Sequence, residues 1–341
     1  MREPGKLLRS TFKRSVKKAL LRSGTLRLAA RASAPSVVVL MYHSVVEDPR
    51  LTQNTIGISQ SRSNFAAHVR AIAENFNPVT IEQVVQFAKG DYRLPAKSVA
   101  VTFDDGFLDN YDIALPILNR YGVPATFYIM VDAVETGTPP WYCRLNFVFR
   151  TTRRPYWTDP EGGLRHEIKT VENRTAAFQV AVDACARKIG NQQEEFVRQV
   201  EKTLDVEPLG AGSKLMLGWE EVRALRKAGH TIGGHTLSHP NLAHVTEEEA
   251  RCEIIGCKRR LEEEVGEPVE HFSYPHPALN PQWTPHTLRI TREAGFQSAV
   301  LTTCGPVRSG DDPLGMKRIY AAHDLEQWTW NLQYTFLGRS I

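Results

Sequence analysis

The chain is poor in cysteine and has neither a long apolar run nor an internal repeat. Its 341 residues include five cysteines, Cys143, Cys185, Cys252, Cys257 and Cys304, an odd number with no CxxC pair. That excludes a disulfide-stapled scaffold and makes reduced thiols the default. No stretch approaches the roughly 18 apolar residues of a membrane-spanning helix; the longest run covers residues 37–42. Lys17, Lys18, Arg22 and Arg27 interrupt every candidate signal-peptide core, so the expected location is cytoplasmic. What is present is a hydrophobic share of 42% with 23% charged residues. This is ample core material for one large α/β domain or two smaller ones, and it excludes disorder along the whole length.

Most of the chain also lacks net positive charge. Residues 1–31 carry ten basic side chains against Glu3 alone, a balance of +9 in a chain of +4, so the other 310 residues sum to −5. Leu8, Phe12, Val16 and Leu20 recur every fourth residue among those cations. On a helix this spacing makes an apolar stripe flanked by positive charge, suited to lying on an anionic membrane. Docking on the body, a mitochondrial-type presequence and a nucleic-acid arm are the other readings; the acidic body argues against nucleic acid as a partner.

Beyond a 1–33 arm, apolar strands alternate with helical patterns. Strands are expected at 37–42, 99–103, 125–131, 230–234, 269–274 and 296–301, and helices at 65–76, 80–88, 114–121, 219–227 and 287–294. Thr246 with Glu249 forms a capping box that opens a further helix, and Gly266 is placed to end it. This alternation predicts a parallel sheet covered by helices, with its site where strands end. The body is read as residues 34–330, interrupted by an inserted subdomain at about 135–213 with a helical pattern over 175–203. Residues 331–341 are left as a C-terminal tail.

Reactive residue types fall at two strand ends. Asp104-Asp105-Gly106 follows one strand, and His235 and His239, in HTLSH, follow another. Two imidazoles and one carboxylate make a three-ligand set for zinc or a similar divalent ion, with a position left for water. Adjacent carboxylates on a strand point to opposite faces, but Gly106 allows a turn that brings both to one pocket. One can then hold the ion while the other acts as base. A plain turn at Asp-Asp-Gly and two ordinary polar histidines are the alternative.

VTFDDG at 101–106, HTLSH at 235–239 and FSYP at 272–275 resemble motifs of the polysaccharide deacetylase family, the NodB-homology or carbohydrate esterase 4 group. LMYHSV at 40–45 and WEEVRALRKAGH at 219–230 resemble its polysaccharide-biosynthesis members. The resemblance runs from about Val37 to Tyr320, with the insertion matched only loosely. It implies a distorted (β/α)7 barrel with a helical insertion. It also implies metal-dependent removal of an acetyl group, N-linked in the first instance, from a free, lipid-linked or nucleotide-linked saccharide. By motif, Asp104 corresponds to the general base and Asp105, His235 and His239 to ligands of a divalent ion, Zn2+ being the first expectation. A backbone N–H near Tyr274 corresponds to an oxyanion donor.

The sequence departs from that pattern twice. The third motif has no arginine and carries Pro277 where glycine is common, a residue without an N–H. Arg318 is the candidate to supply the cation from another strand, a surface position being the other reading. The last motif's histidine is absent, which leaves His43, at the end of the first strand, as the favoured acid and His323 as the second choice. Trp141, after Pro139-Pro140, is the candidate flat face for a sugar, while His244 and His276 have no assigned task. Two other functions remain open, a saccharide-binding scaffold without turnover and a hydrolase of a non-sugar amide.

Overall fold

The computed structural model describes residues 35–47, 58–209, 212 and 214–340. The basic arm at 1–33 lies outside them. Among the described residues no helix is long and apolar enough to cross a membrane.

Seven parallel strands close into a ring in chain order: β1 (Ser36–Tyr42), β2 (Ser98–Phe103), β3 (Ala125–Ile129), β4 (Thr231–Gly234), β5 (His271–Ser273), β6 (Ser298–Cys304) and β7 (Met316–Tyr320). β1 closes it, pairing with β2 from Val37 opposite Ser98 to Tyr42 opposite Phe103 and with β7 at Leu40 opposite Ile319. The ring is distorted. β4 and β5 share a single registered pair, Gly234 with Phe272, and the β6–β7 register shifts between Val300 and Cys304. This is the expected (β/α)7 barrel.

The apolar β1 segment is buried on both sides, which is why it reads as a continuous run rather than an alternation. Val38, Leu40 and Tyr42 pack with Phe65, Val69 and Ile72 of α1 (Arg62–Asn75). Val37 and Val39 pack with Val84 and Phe87 of α2 (Ile81–Lys89), opened by the Thr80–Gln83 capping box. The outer layer continues with α3 (Leu115–Tyr121). Gly233 permits a close approach: a Cβ there would stand 2.5 Å from the ring of Tyr128.

The strand expected over 125–131 stops at Ile129, and α4 (Val131–Thr136) begins two residues later. The apolar pattern continues, but the N–H groups of Val131 and Asp132 donate to the carbonyls of Thr236 and Leu237 instead of to a strand. The insertion between β3 and β4 contains α5 (Trp141–Thr151), a hairpin of Tyr156–Thr158 with Arg165–Glu167, α6 (Val171–Cys185) and α7 (Gly190–Leu204). The single helical pattern over 175–203 is thus two helices. They share an apolar cluster with α5 that includes Leu145, Phe149, Trp157, Ala181 and Phe196.

After the insertion come α8 (Trp219–Lys227), α9 (Glu247–Val265) and α10 (Pro285–Glu293), with the Thr246–Glu249 box and Gly266 at φ 77° bounding α9. The expected tail over 331–341 is corrected. Residues 331–336 complete α11 (Leu325–Phe336), whose Trp328, Leu332 and Phe336 are buried in the main core. The ring of Trp328 stacks on His68 of α1 at 4.6 Å.

Candidate metal and base centre

The site begins where β2 ends. The Asp104 N–H donates to the Tyr42 carbonyl and prolongs the β1–β2 pairing by one bond. Asp105 then takes φ 78°, and Gly106 φ 82°. The reversal expected at Gly106 therefore starts one residue earlier, on a residue with a side chain. That is how neighbouring carboxylates reach one cavity. A left-handed aspartate costs of order 1 kcal/mol, held in place by its surroundings.

Asp104 is held rigidly. Nη1 and Nη2 of Arg318, on β7, donate to its two oxygens at 2.7 Å each, and Ser273 Oγ donates at 3.2 Å. The remaining guanidinium donors reach Thr102 Oγ1, Ser273 Oγ and the Leu301 carbonyl. Arg318 is 0% exposed, so the pair stands in low dielectric where bidentate geometry counts most. Burial pushes the Asp104 carboxyl up, but Arg318 and the nearby His235 hold it below the ordinary carboxylate range. It stays ionised.

Both histidines lie on the loop after β4. Nδ1 of His235 sits 2.8 Å from the Ser273 carbonyl, which makes that nitrogen a donor and turns Nε2 toward Asp105. Thr236 and His239 have φ 65° and 61°, unusual for a β-branched and a bulky residue. Local bonds hold the bend: the His239 N–H donates to Thr236 Oγ1, and the buried Glu253 of α9 accepts from the N–H groups of Leu237 and Ser238. The insertion grips the same loop. Trp141 Nε1 donates to the His239 carbonyl at 3.2 Å, the Gly190 N–H to Ser238 Oγ, and the Asn241 N–H to the Ala186 carbonyl. The break between α6 and α7 thus falls where the insertion meets the loop.

Asp105, His235 and His239 are buried and offer ligand atoms all within 4.8 Å of one another. Asp105 Oδ1 stands 3.3 Å from His235 Nε2 and 3.5 Å from His239 Nε2, and it has no hydrogen-bond partner among the described residues. Burial opposes ionisation of Asp105, yet His235, His43 and His239 draw its carboxyl far below the usual range. Burial and the neighbouring His235 push His239 down to about 3, so its imidazole is neutral. One carboxylate and two imidazoles, with an orphan oxygen between them, fit a divalent cation.

A family model described as polysaccharide deacetylase matches residues 91–299. The chain belongs to the polysaccharide deacetylase family. Among curated relatives, a 102-residue stretch is 33% identical to the poly-β-1,6-N-acetyl-D-glucosamine N-deacetylase of Escherichia coli (strain K12), covering 29% of this chain and 14% of that enzyme. A 97-residue stretch is 31% identical to the protein YxkH of Bacillus subtilis (strain 168), covering 28% of this chain and 32% of that one. These matches span a third or less of each relative. Among solved structures, Streptococcus pyogenes deacetylase PplD in complex with acetate superposes with TM-score 0.59 at 17% identity, over 88% of this chain and 99% of that one. IcaB from Ammonifex degensii superposes with TM-score 0.56 at 20% identity, over 88% and 98%. At such identities the likeness is one of fold.

Within this family member, one cavity brings together His43, Asp104, Asp105, His235, His239 and Tyr274. The His43 loop is pinned by Asn110, whose Nδ2 donates to the His43 carbonyl, and by Asp109, which accepts from the Val45 N–H. His323 is exposed and absent from the cavity. One expectation is corrected. Trp141 is 4% exposed and supports His239 from behind, so it offers a sugar no open face. The Tyr274 N–H donates to the Val300 carbonyl and its hydroxyl to Thr291 Oγ1, so the backbone donor left near Tyr274 is that of His276. Sequence reasoning missed Tyr142, which lines the cavity, and Glu253. Glu253 did leave a signal, since it interrupts the apolar stripe of Ala250, Ile254, Cys257 and Leu261 on α9.

Proposed function

We propose that the protein is a metal-dependent deacetylase that removes an N-linked acetyl group from a saccharide. The observation that carries this reading is the buried Asp105–His235–His239 set beside an aspartate fixed by a fully buried arginine. Asp105 Oδ1 and the Nε2 atoms of His235 and His239 would hold the ion. When bound, a divalent ion polarises the acyl carbonyl and makes water more acidic. Zn2+ suits the mixed nitrogen and oxygen donors.

Asp104 takes the proton of the attacking water. Its two oxygens are oriented by Arg318, and ionisation leaves it ready as a base. His43, in the same cavity, gives a proton to the departing sugar amine. The products are acetate and the free amine.

The decisive test loads the protein with Zn2+ and measures acetate released from free, lipid-linked and nucleotide-linked N-acetyl sugars. Oligomers of β-1,6-linked N-acetylglucosamine come first because the E. coli relative acts on that polymer. Asp104→Asn should retain the ion and lose about 10³-fold or more in turnover. Stoichiometric metal without hydrolysis of any saccharide would support the scaffold reading instead. The basic arm extends the proposal to an anionic membrane surface on the cytoplasmic side, tested by co-sedimentation of the full chain with anionic and neutral vesicles.

A further inference from the structure

Tyr142 is the second residue of α5 and belongs to the insertion, yet it lines the cavity that holds the metal-ligand set. Its ring lies 5.0 Å from that of His239, and the phenol is 4% exposed. Its hydroxyl makes no hydrogen bond of normal geometry among the described residues, the Asp105 carboxylate being the acceptor it interacts with. A buried hydroxyl of this kind is normally satisfied by a protein group, a water or a ligand. A phenol O–H is a hydrogen-bond donor by its chemistry.

Backbone donors are scarce in the segment after β5, which also lines the cavity. The Tyr274 N–H is consumed by Val300, and neither Pro275 nor Pro277 has an N–H, so positions 274–277 leave only that of His276. An acyl carbonyl that becomes tetrahedral beside Asp105 and His239 gains negative charge on its oxygen and needs preorganised donors there.

We propose that the Tyr142 hydroxyl is an oxyanion donor supplied by the insertion, hydrogen-bonding the acyl oxygen as it becomes anionic. No proton is transferred; the O–H stays on the ring throughout. Two adjacent residues of one helical turn then serve the site differently. Trp141 holds the backbone of His239, and Tyr142 faces the reacting carbonyl. This inference rests on the deacetylase reading for its substrate, but its geometry concerns any acyl group bound there.

Tyr142→Phe removes one oxygen and keeps the ring against His239. The Zn2+-loaded variant should bind metal within about twofold of the wild type and melt no lower. Its kcat for acetate release should fall by about 30- to 1000-fold with KM nearly unchanged. Acetohydroxamate, which places an acyl oxygen in the same position, should bind the Zn2+-loaded variant at least about fivefold more weakly in calorimetry. Tyr156→Phe, on the exposed insertion hairpin, should match the wild type in every readout. Loss of metal affinity in parallel with activity would overturn the inference by making Tyr142 a ligand. A rise in KM alone, or wild-type kinetics with unchanged hydroxamate affinity, would overturn it as well. If the wild type releases no acetate from any saccharide but the hydroxamate affinities still separate, the donor role stands and the substrate reading falls.

Discussion

Two histidine–carboxylate pairs stand at opposite ends of one barrel. At the N-terminal end of β5, His271 places Nδ1 2.8 Å from Ser298 Oγ and Nε2 3.3 Å from Glu82 Oε1, and Glu82 also accepts from Thr231 Oγ1 at 2.8 Å. At the C-terminal end of β4, His235 places Nδ1 2.8 Å from a carbonyl and Nε2 3.3 Å from Asp105 Oδ1. The residue types and distances are nearly the same. The difference lies in what remains open. In the lower pair, which is partly exposed at Glu82, the interacting atoms all have protein partners, whereas the upper one shares its carboxylate with a second histidine and leaves the buried Oδ1 without a conventional partner. Left-handed Asp105, Thr236 and His239 surround that opening. Closed polar networks serve stability; open ones held on strained backbone are where a ligand fits.

Substitutions should separate the two ends. The largest effect is expected from Arg318→Met, which leaves a buried carboxylate unpaired. Turnover should fall at least about 100-fold and stability by about 3–5 kcal/mol, read by steady-state kinetics and urea titration. Arg318→Lys cannot restore the two parallel bonds and should recover little. Next comes His43→Gln, for which a loss of about 100-fold in kcat with full metal occupancy is expected; unchanged turnover would remove His43 from the reaction.

Glu253→Ala should weaken Zn2+ binding by about 10-fold or more, by freeing the backbone between the two histidines, with Glu253→Gln intermediate. Acidity adds a contrast of sign. Burial pushes Glu253 up to about 7, against the hydrogen bonds from Ser238 and Leu237 that lower it. Its folded value exceeds its unfolded one, so its contribution to stability is lost as pH rises from about 4.5 to about 7. Asp109, also pushed up to about 7, acts with the same sign over a window that opens lower, at about 3.8; Glu253→Gln should flatten part of the slope in thermal melts.

The smallest effect belongs to the closed end. Burial raises Glu82, but hydrogen bonds from His271 and Thr80 bring it down to about 2. Its stabilisation is therefore present above about pH 4.5 and lost as pH falls toward 2. Because the carboxylate is partly exposed, Glu82→Gln should cost only about 1 kcal/mol near neutral pH, without changing kcat. A strong kinetic effect there would break the distinction between the two ends.

Much of this was legible in the sequence because the signals were local. Apolar runs marked β1 and β2, the Thr246–Glu249 box opened α9, and HTLSH marked the histidine loop. What stayed hidden depended on distance along the chain. Arg318 could only be nominated, since its partner lies far away across the ring. Trp141 and Tyr142 were visible as aromatics, but their direction depends on where α5 docks against His239. Residues 331–336 carried no acid or base to pair with the body, and only their packing shows a helix.

The order in which the strands close has a consequence for synthesis. Asp104 ends the second strand, whereas Arg318 lies 214 positions later on the last one. A ribosome therefore completes the base, both histidines and the whole insertion before the guanidinium that orients Asp104 exists. β1 is held in the ring on one side by β2 and on the other by β7. Seating the final strand and arming the base are consequently a single event, and a nascent chain halted before β7 has neither a closed ring nor an oriented Asp104.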